Sequence, residues 1–327
     1  MNGAKTAISR ANIALVKYWG KAPGNENLTA VPSLSLTLAG LSTRTRVRFD
    51  PGLDADRVLI GGVPAEGRPR ARVVALLDAL RARAGRTERA EVVSVNDFPT
   101  ASGLASSASG FAALALAASA ALGLELAPAE LSSYARAASA SAARSVFGGY
   151  VALLAGAHAA EPVAPPDHLD VAMVIALTTL GPKAIGSTEG MRHTEATSPY
   201  YPAWVATAPA LFAEARRALL ARDLETLGAS MEQSTLMMHA AMLASRPALV
   251  YLRDATLRVM ERVRALRSQG IAAFFTMDAG PHVKVLVERA AVAKVAAELG
   301  QVPGVERVLV SEPGLGAELV DDAALEG

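Results

Sequence analysis

A short run of small residues carries the first groups that could do chemistry. Residues 99–108 read PTASGLASSA and lie between a predicted strand and a predicted helix. Such a loop lets backbone N–H groups approach a phosphate, and the helix N-terminus adds partial positive charge. Ser106 and Ser107 could donate hydroxyls to that phosphate or ligate Mg²⁺. The run is neither a Walker A loop nor G-x-G-x-x-G, and a tight turn capping a core helix is the alternative.

Two lysines bracket an aromatic pair near the N-terminus. Lys17, Tyr18, Trp19 and Lys21 occur in an otherwise apolar segment. Two cations beside aromatic rings suit a pocket that holds a polyanion attached to a small apolar body. Lysines that reach from a strand edge into solvent are the structural alternative.

Hydroxyl, guanidinium and carboxylate groups occur further along the chain. If residues 139–145 are helical, Ser141 and Arg144 share a face at i,i+3 and could grip phosphate or carboxylate. Ser139 leaves that face unless the helix is interrupted. Asp278 ends a predicted strand just before a Gly-Pro pair, where it could be a catalytic carboxylate or only cap a turn.

The elements that must position these groups indicate an α+β fold. Residues 43–49 alternate Thr or apolar side chains with Arg, which predicts a half-buried strand over 34–49. Strands and helices mix without strict alternation, and a lobe boundary is expected near 180–187. The other predicted strands are 57–60, 91–95, 171–178, 271–277, 282–287 and 305–310. The predicted helices are 69–84, Gly103 to Gly123, Pro128 to Gly148, several between Pro202 and Ser268, and 288–300.

Composition limits the classes of function. The 327 residues carry a net charge of +1, so an anionic ligand must be bound by a local pocket, and neither nucleic acid nor a membrane is an expected partner. The absence of cysteine excludes disulfides, thiolate zinc sites and a cysteine nucleophile. The longest apolar run, Phe111 to Leu124, is too short for a span of ~20 residues and predicts a buried helix. We expect a soluble, cytoplasmic protein without a signal peptide.

Several sequence motifs connect the chain to a known family. The run at 99–108 is similar to the phosphate motif of the superfamily of galactokinase, homoserine kinase, mevalonate kinase and phosphomevalonate kinase. NDFPTASGLASS at 96–107 and ANIALVKYWGK at 11–21 resemble one branch, the mevalonate diphosphate decarboxylases. SASAARS at 139–145, GSTEGMR at 186–192, MHA at 238–240 and DAGP at 278–281 also resemble motifs of this branch, in the right order.

The resemblance implies a fold, a reaction and partners. It implies a two-lobed fold with an N-terminal lobe (1–185) of mixed sheet and phosphate-loop helix, a ferredoxin-like C-terminal lobe (186–327), and an active site between them. The implied reaction uses ATP and Mg²⁺ to phosphorylate the tertiary hydroxyl of mevalonate diphosphate, which then loses phosphate and carbon dioxide to give isopentenyl diphosphate. A homodimer is also implied.

The resemblance also implies roles for individual residues. The catalytic residues are Asp278, with Lys17 beside it, and Arg144. The substrate-binding residues are Tyr18, Lys21, Ser139, Ser141, Arg144 and Arg192, and a solvated helix arginine is the alternative for Arg192. The residues that bind ATP and its phosphates are Asn96, Ala101, Ser102, Gly103, Leu104, Ala105, Ser106 and Ser107, with Ser107 also a ligand of Mg²⁺. His239 is interpreted as a buried, hydrogen-bonded histidine, and the role of Glu189 is open.

Five residues depart from the family pattern, and those in the segment 138–143 keep alternatives open. Thr29 stands where proline is usual, Ala138 and Ala140 replace two glycines, Ala143 replaces cysteine, and His282 replaces asparagine. Decarboxylation of mevalonate monophosphate, phosphorylation of mevalonate without decarboxylation, and a non-catalytic metabolite-binding protein are the competing readings.

Overall fold

The computed structural model describes residues 3–24, 27–98, 106–178 and 185–321. Its strands and helices form two sheets and the layers that cover them, as expected for an α+β protein. The N-terminal elements are β1 (Lys5–Val16), β2 (Ser33–Asp50), β3 (Arg57–Ile60), β4 (Val63–Pro64), α1 (Gly67–Ala84), β5 (Arg89–Asn96), α2 (Ser106–Ala121), α3 (Pro128–Ala138), α4 (Ala142–Ser145), β6 (Tyr150–Leu153) and β7 (Glu161–Ala164). The remaining elements are β8 (Val171–Leu177), α5 (Ser187–Thr197), α6 (Tyr201–Leu220), α7 (Leu224–Leu243), α8 (Asp254–Ser268), β9 (Ala273–Thr276), β10 (Val283–Glu288), a 3₁₀ turn (Arg289–Ala291), α9 (Val292–Gly300), β11 (Arg307–Ser311) and β12 (Glu318–Val320).

The first sheet is mixed and is organised around β2. Its strand order is β12-β1-β2-β5-β3-β4, with β6 paired to β2 and β7 paired to β6. The β3–β5 pair is parallel, whereas β1, β5 and β6 all run antiparallel to β2. Thr43, Thr45 and Val47 are buried while the arginines between them lie further out, which confirms the alternation predicted for this strand.

Helix α2 explains the abundance of alanine. It packs between the first sheet and its helical neighbours, and its alanines at 112, 113, 115, 117 and 118 are fully buried. Small side chains allow a helix to approach a sheet closely without leaving voids. The prediction of a buried helix over this apolar run is therefore confirmed. No helix in the described ranges is long and apolar enough to cross a membrane.

The second sheet is antiparallel throughout, with the strand order β11-β8-β10-β9. In chain order this is 4-1-3-2, the ferredoxin-like arrangement of a split β-α-β unit. Strand β8 lies within the predicted 1–185 lobe but pairs in this sheet, so the chain changes sheets before residue 171. The predicted boundary itself stays a prediction, and residues 179–184 beside it lie outside the described part.

One predicted helix is wrong. The segment from Pro128 to Gly148 was expected to be a single helix, but α3 ends at Ala138 and the short α4 begins at Ala142. Ser139 between them is extended, with φ −153° and ψ 116°. The physical cause is a set of side chains that bind the last carbonyls of α3, described below.

One apolar cluster lies between the two sheets and is shared by them. Ile13 and Leu36 from the first sheet, Ile175 and Leu286 from the second, and Met231 from α7 all belong to it, and all are fully buried. Helices α1, α2 and α3 cover the outer face of the first sheet, and α8 and α9 cover the outer face of the second.

Candidate active site

A cleft of about 710 Å³ collects most of the residues singled out from the sequence. Its walls are the end of β1, the starts of α1, α2 and α5, the break between α3 and α4, and the turn after β9. The lining residues that carry polar or charged side chains are Asn12, Lys17, Tyr18, Trp19, Lys21, Asn27, Arg68, Arg72, Ser106, Ser107, Ser139, Ser141, Arg144, Ser187, Thr188, Arg192 and Asp278. Elements distant in sequence therefore meet at one site.

The end of β1 places Lys17, Tyr18 and Trp19 in different surroundings. Ser234 of α7 accepts a hydrogen bond from the Lys17 backbone N–H at 2.9 Å and fixes the chain as it leaves the sheet. The Trp19 indole is buried in an apolar cluster, and the Trp204 indole N–H donates to its carbonyl oxygen at 2.7 Å. Gly20 follows with φ +120°, and a Cβ there would clash with the Tyr201 hydroxyl. The tryptophan is thus mainly a core residue that orients its neighbours.

Asp278 is held between two buried lysines. Lys17 Nζ lies 2.8 Å from Asp278 Oδ1 and also donates to the Ala14 carbonyl oxygen at 2.8 Å. Lys284 Nζ lies 3.0 Å from the other carboxylate oxygen, Oδ2. The lysine side chains are 2% and 1% exposed, whereas the Asp278 side chain is 26% exposed. The carboxylate is therefore ion-paired at both oxygens and still accessible from the cleft.

Burial and charge set the protonation states of this cluster. Burial alone would raise the pKa of Asp278, but Lys17 and Lys284 outweigh it and hold that pKa far below its ordinary value. Burial lowers the pKa of Lys17 to about 8, although Asp278 opposes the shift. Burial, helped by the charge of Lys17, lowers the pKa of His239 to about 4. At neutral pH Asp278 is thus an ionised carboxylate, His239 a neutral imidazole and Lys17 mainly an ammonium ion.

Sequence reasoning missed Lys284. The signal was present, because VKVLVE places one lysine inside a buried apolar strand, and lysine is almost never fully buried unless it is paired. Arg68 and Arg72 of α1 were also missed. They belong to an arginine-rich amphipathic helix, a pattern that ordinarily indicates a solvated face.

Arg144 is fixed from behind by the first sheet. Its Nε donates to Asn12 Oδ1 at 3.1 Å and its Nη1 donates to Ser33 Oγ at 2.5 Å. The guanidinium carbon lies 5.7 Å from the centre of the Tyr18 ring, within the range of a cation–π contact. Ser141 is the N-cap of α4 with helical backbone angles, and the Arg144 backbone N–H donates to the Ser141 carbonyl oxygen at 3.3 Å. The predicted i,i+3 pair is therefore present on one helical turn, and both residues line the cleft.

The break between α3 and α4 is stabilised by side chains that cap α3. Arg72 Nε and Nη2 both donate to the carbonyl oxygen of Ala138, at 3.0 and 2.7 Å. Asn27 Nδ2 donates to the carbonyl oxygens of residues 136 and 137, and its Oδ1 accepts a hydrogen bond from Lys21 Nζ at 2.6 Å. These bonds satisfy helix carbonyls that have no partner within the helix. Ser139 is the extended C-cap of α3, with its backbone N–H bonded to the Ala135 carbonyl oxygen at 2.9 Å and its Oγ 3.4 Å from that of Ser141.

The cleft is strongly cationic. Among the described lining residues, Asp278 is the only carboxylate, whereas Lys17, Lys21, Arg68, Arg72, Arg144 and Arg192 are cations. Burial, together with the charges of Arg72, Arg136 and Arg192, lowers the pKa of Lys21 to about 8. The positive potential of these residues suits a polyanionic ligand, and the negative charge of Asp278 lies at one defined point within it.

Only some of the residues that are predicted to bind nucleotide and metal lie in the described part of the chain. Ser106 and Ser107 lie at the start of α2 and line the cleft, whereas Ala101 to Ala105 lie outside the described residues. Asn96 in β5 accepts a hydrogen bond from Thr43 Oγ1 at 2.6 Å and does not line the cleft. In the described ranges no three His, Cys, Asp or Glu side chains form a metal cluster. This lining fits a Mg²⁺ ion that is held mainly by nucleotide phosphates.

The two histidines and Glu189 lie at the margins of the site. His239 on α7 is buried, and its Nε2 has no hydrogen-bond partner among the described residues. His282 Nδ1 accepts a hydrogen bond from the backbone N–H of Thr178 at 3.2 Å, which ties the start of β10 to the end of β8. Glu189 is an exposed residue of α5. The interpretation of His239 as a buried, hydrogen-bonded histidine is confirmed, because its ring also forms a hydrogen bond with the backbone of Asp278.

Comparisons with known proteins give one consistent result. A family model described as the diphosphomevalonate decarboxylase-like N-terminal domain matches residues 9–164, and one described as the mevalonate 5-diphosphate decarboxylase C-terminal domain matches residues 173–311. A diphosphomevalonate decarboxylase of Aspergillus fumigatus is 35% identical over 86% of this chain and 76% of its own length. The human diphosphomevalonate decarboxylase is 33% identical over 86% of this chain and 76% of its own length.

Solved structures agree over almost the whole chain. A mevalonate diphosphate decarboxylase from Staphylococcus aureus is similar with a TM-score of 0.92 and 35% identity, covering 98% of this chain and 99% of that one. The enzyme from Enterococcus faecalis is similar with a TM-score of 0.88 and 37% identity over 97% and 99%. A structure described as MDDEF in complex with MVAPP, AMPPCP and magnesium has a TM-score of 0.90 and 38% identity over 97% and 99%.

Proposed function

This chain belongs to the diphosphomevalonate decarboxylase family, and from that premise we propose that it converts mevalonate diphosphate to isopentenyl diphosphate with consumption of ATP. The observation that carries the proposal is the carboxylate of Asp278, which is paired with two lysines in a cleft whose other charged lining residues, in the described part of the chain, are all cations. A substrate with a diphosphate, a carboxylate and a tertiary hydroxyl supplies the anions and the reacting group that this cleft can bind.

Asp278 acts on the tertiary hydroxyl. The carboxylate accepts the hydroxyl hydrogen bond from within ~3 Å and aligns the oxygen for attack on the γ-phosphoryl group. The O–P bond forms as the bond between the γ-phosphorus and ADP breaks, the hydroxyl proton passes to the Asp278 carboxylate and from there to solvent, and the oxygen becomes part of a phosphate leaving group. Lys17 keeps Asp278 ionised and balances negative charge that develops during transfer.

Departure of phosphate leaves positive charge at the tertiary carbon, beta to the substrate carboxylate. The C–C bond to that carboxylate then breaks, its electron pair forms the alkene, and carbon dioxide is released. Arg144 with Ser139 and Ser141 holds the carboxylate or the adjoining phosphate, and Lys21 with Tyr18 and Arg192 holds the diphosphate. We assign these roles from side-chain chemistry and position in the cleft.

The nucleotide binds at the start of α2. Ser106 and Ser107 and the helix N-terminus face the cleft, which suits the β- and γ-phosphates of ATP. Mg²⁺ neutralises phosphate charge when it is bound, with Ser107 as the protein ligand in this proposal. The loop residues at 101–105 and Asn96 remain predicted contacts of the nucleotide.

One assay tests the reaction and its competitors. The protein is incubated with Mg-ATP and, separately, with mevalonate, mevalonate monophosphate or mevalonate diphosphate, and both ADP and carbon dioxide are measured. Equal amounts of ADP and carbon dioxide from the diphosphate alone are expected. Carbon dioxide mainly from the monophosphate, or ADP without carbon dioxide from mevalonate, would assign a different reaction to the same cleft. No turnover of any substrate would contradict the proposal.

Assembly and location are part of the proposal. We propose a homodimer, which light scattering coupled to size-exclusion chromatography tests directly. We also propose a cytoplasmic location, where ATP is supplied, and fractionation of cells that express the chain tests it.

A further inference from the structure

We propose that Lys284 is a positioning residue of the reaction, which acts with Lys17 to hold both oxygens of Asp278 and so fixes the plane and the charge of the reacting carboxylate. The inference rests on the proposed function for its catalytic meaning. The coupling between Lys284 and Asp278 can be measured without any turnover.

The strand places Lys284 behind the cleft. Val283, Val285 and Val287 of β10 face the cluster covered by α8 and α9, and the alternate residue Leu286 faces the core shared by the two sheets. Lys284 shares the face of Leu286, because side chains alternate along a strand. Its neighbours in register are Ile175 and Thr276, so it stands on a central strand of the sheet. It does not line the cleft, and it therefore acts through Asp278 and not on substrate.

A second lysine is more than the fold requires at this point. One ammonium is enough to satisfy one buried carboxylate, and burying another charge is costly unless that charge is well paired. Lys284 is 1% exposed and has Asp278 as its ion-pair partner in the described part of the chain. A hydrophobic side chain would fill the same space without this cost. The arrangement is explained if both oxygens of the carboxylate must be held when it reacts.

The other groups that face Asp278 do not duplicate this role. Lys17 arrives from the end of β1, Arg144 from α4 and Tyr18 from the segment after β1. His239 arrives from α7, and burial lowers its pKa to about 4, so it is neutral in the working range. The two lysines are thus the only cations within ion-pair distance of Asp278 among the described residues.

The arrangement makes the two lysines partly redundant. When either lysine is replaced by methionine, the other still holds one oxygen of Asp278, so the carboxylate pKa rises moderately. When both are replaced, burial raises that pKa without opposition, and the rise must exceed that of either single variant.

The experiment is a titration of the Asp278 carboxyl carbon by ¹³C NMR, with the resonance assigned from its loss in Asp278→Asn. The variants are Lys284→Met, Lys17→Met, the double variant and the control Lys294→Met, an exposed lysine of α9. We expect the carboxyl pKa to rise in both single variants, to rise most in the double variant and to stay unchanged in the control. An unchanged pKa in Lys284→Met would overturn the proposal.

Kinetics give the second readout. We expect Lys284→Met to lower kcat by ~10-fold or more, the scale seen when an outer partner of a functional ligand is removed, with KM for both substrates near the wild-type value. A loss confined to melting temperature, with kcat intact, would make Lys284 a structural residue. If Lys284→Met does not fold, the reciprocal measurement uses Asp278→Asn, in which the ¹⁵Nζ resonance of Lys284 must shift. An unshifted resonance refutes the coupling. If the wild type turns over no mevalonate compound, the proposed function fails, while the titration still decides the coupling.

Discussion

Replacing Arg144 with lysine separates ligand binding from chemistry. The guanidinium has five N–H donors, and two of them are bound by Asn12 Oδ1 and Ser33 Oγ, so up to three are available to a bound anion. Lysine keeps the charge but has neither the planar fork nor the same reach. The variant must therefore lose either the hydrogen bonds to Asn12 and Ser33 of the first sheet or the hydrogen bonds to the bound anion.

The size of the effect follows from the bonds lost. A hydrogen bond to a charged group is worth ~1.5–3 kcal/mol, and a free energy of ~1.4 kcal/mol changes an equilibrium tenfold. Losing one such bond to the anionic substrate therefore predicts a rise in KM for mevalonate diphosphate of ~10- to 150-fold. Because we expect this contact in the ground state and the transition state alike, kcat should change little.

The assay measures ADP release at varied substrate and varied ATP, with melting temperature recorded for each variant. Arg262→Lys is the matched control, since Arg262 is exposed and paired with Glu298 at 2.9 Å, and its kinetics should match the wild type. KM for ATP should stay within a few-fold in both variants. If Arg144→Lys abolishes kcat while KM for mevalonate diphosphate stays constant, Arg144 acts on the developing charge, and our placement of the substrate is wrong.

Three further changes probe the rest of the cleft. Asp278→Asn keeps the shape but removes the negative charge, so turnover measured by carbon dioxide release should fall by at least ~10²-fold with substrate affinity retained; near-normal turnover excludes it from the mechanism. Lys17→Met removes a cation that lowers the Asp278 pKa, so the acidic limb of the pH profile of kcat/KM should move to higher pH. Lys17 and Lys21 both have a pKa of about 8, and in this variant only the ionisation of Lys21 should remain in the profile. Arg72→Met removes two hydrogen bonds to the end of α3 and should raise KM for mevalonate diphosphate several-fold while kcat is less affected; an effect on KM for ATP alone would place Arg72 with the nucleotide.

Local patterns in the sequence predicted the elements whose signal is local. The alternation in β2 predicts which side of the strand is buried, and the apolar run in α2 predicts a helix that is buried on all sides; both predictions are confirmed. The same reasoning failed at 138–142, because ASASA favours helix continuation and no local residue signals a stop. The stop comes from Arg72 and Asn27, which reach the α3 carbonyls from more than 60 residues away in the chain.

In the candidate site, too, local motifs were informative and contacts between distant residues were not predicted. Motif spelling drew attention to Lys17, Arg144 and Asp278, which lie in one cleft. Lys284 could have been found from the sequence, as a lysine inside a buried strand that must have a partner, but only the sheet register shows that the partner is Asp278. The position of Asn96 could not be predicted from its motif, because its contact with Thr43 depends on the pairing of β5 with β2.

The core shared by the two sheets has a consequence for dividing or recombining the protein. The chain leaves the first sheet before β8 and returns to it after β11, where β12 pairs with β1 and Ala39 donates a backbone hydrogen bond to residue 312. A single cut between the family domains would therefore separate β12 from its sheet and expose apolar faces on both fragments. A chimera between relatives should therefore take the whole segment from β8 to β11 from one parent, and β12 from the same parent as β1. Two halves of the chain that are expressed together should be recovered only as a complex.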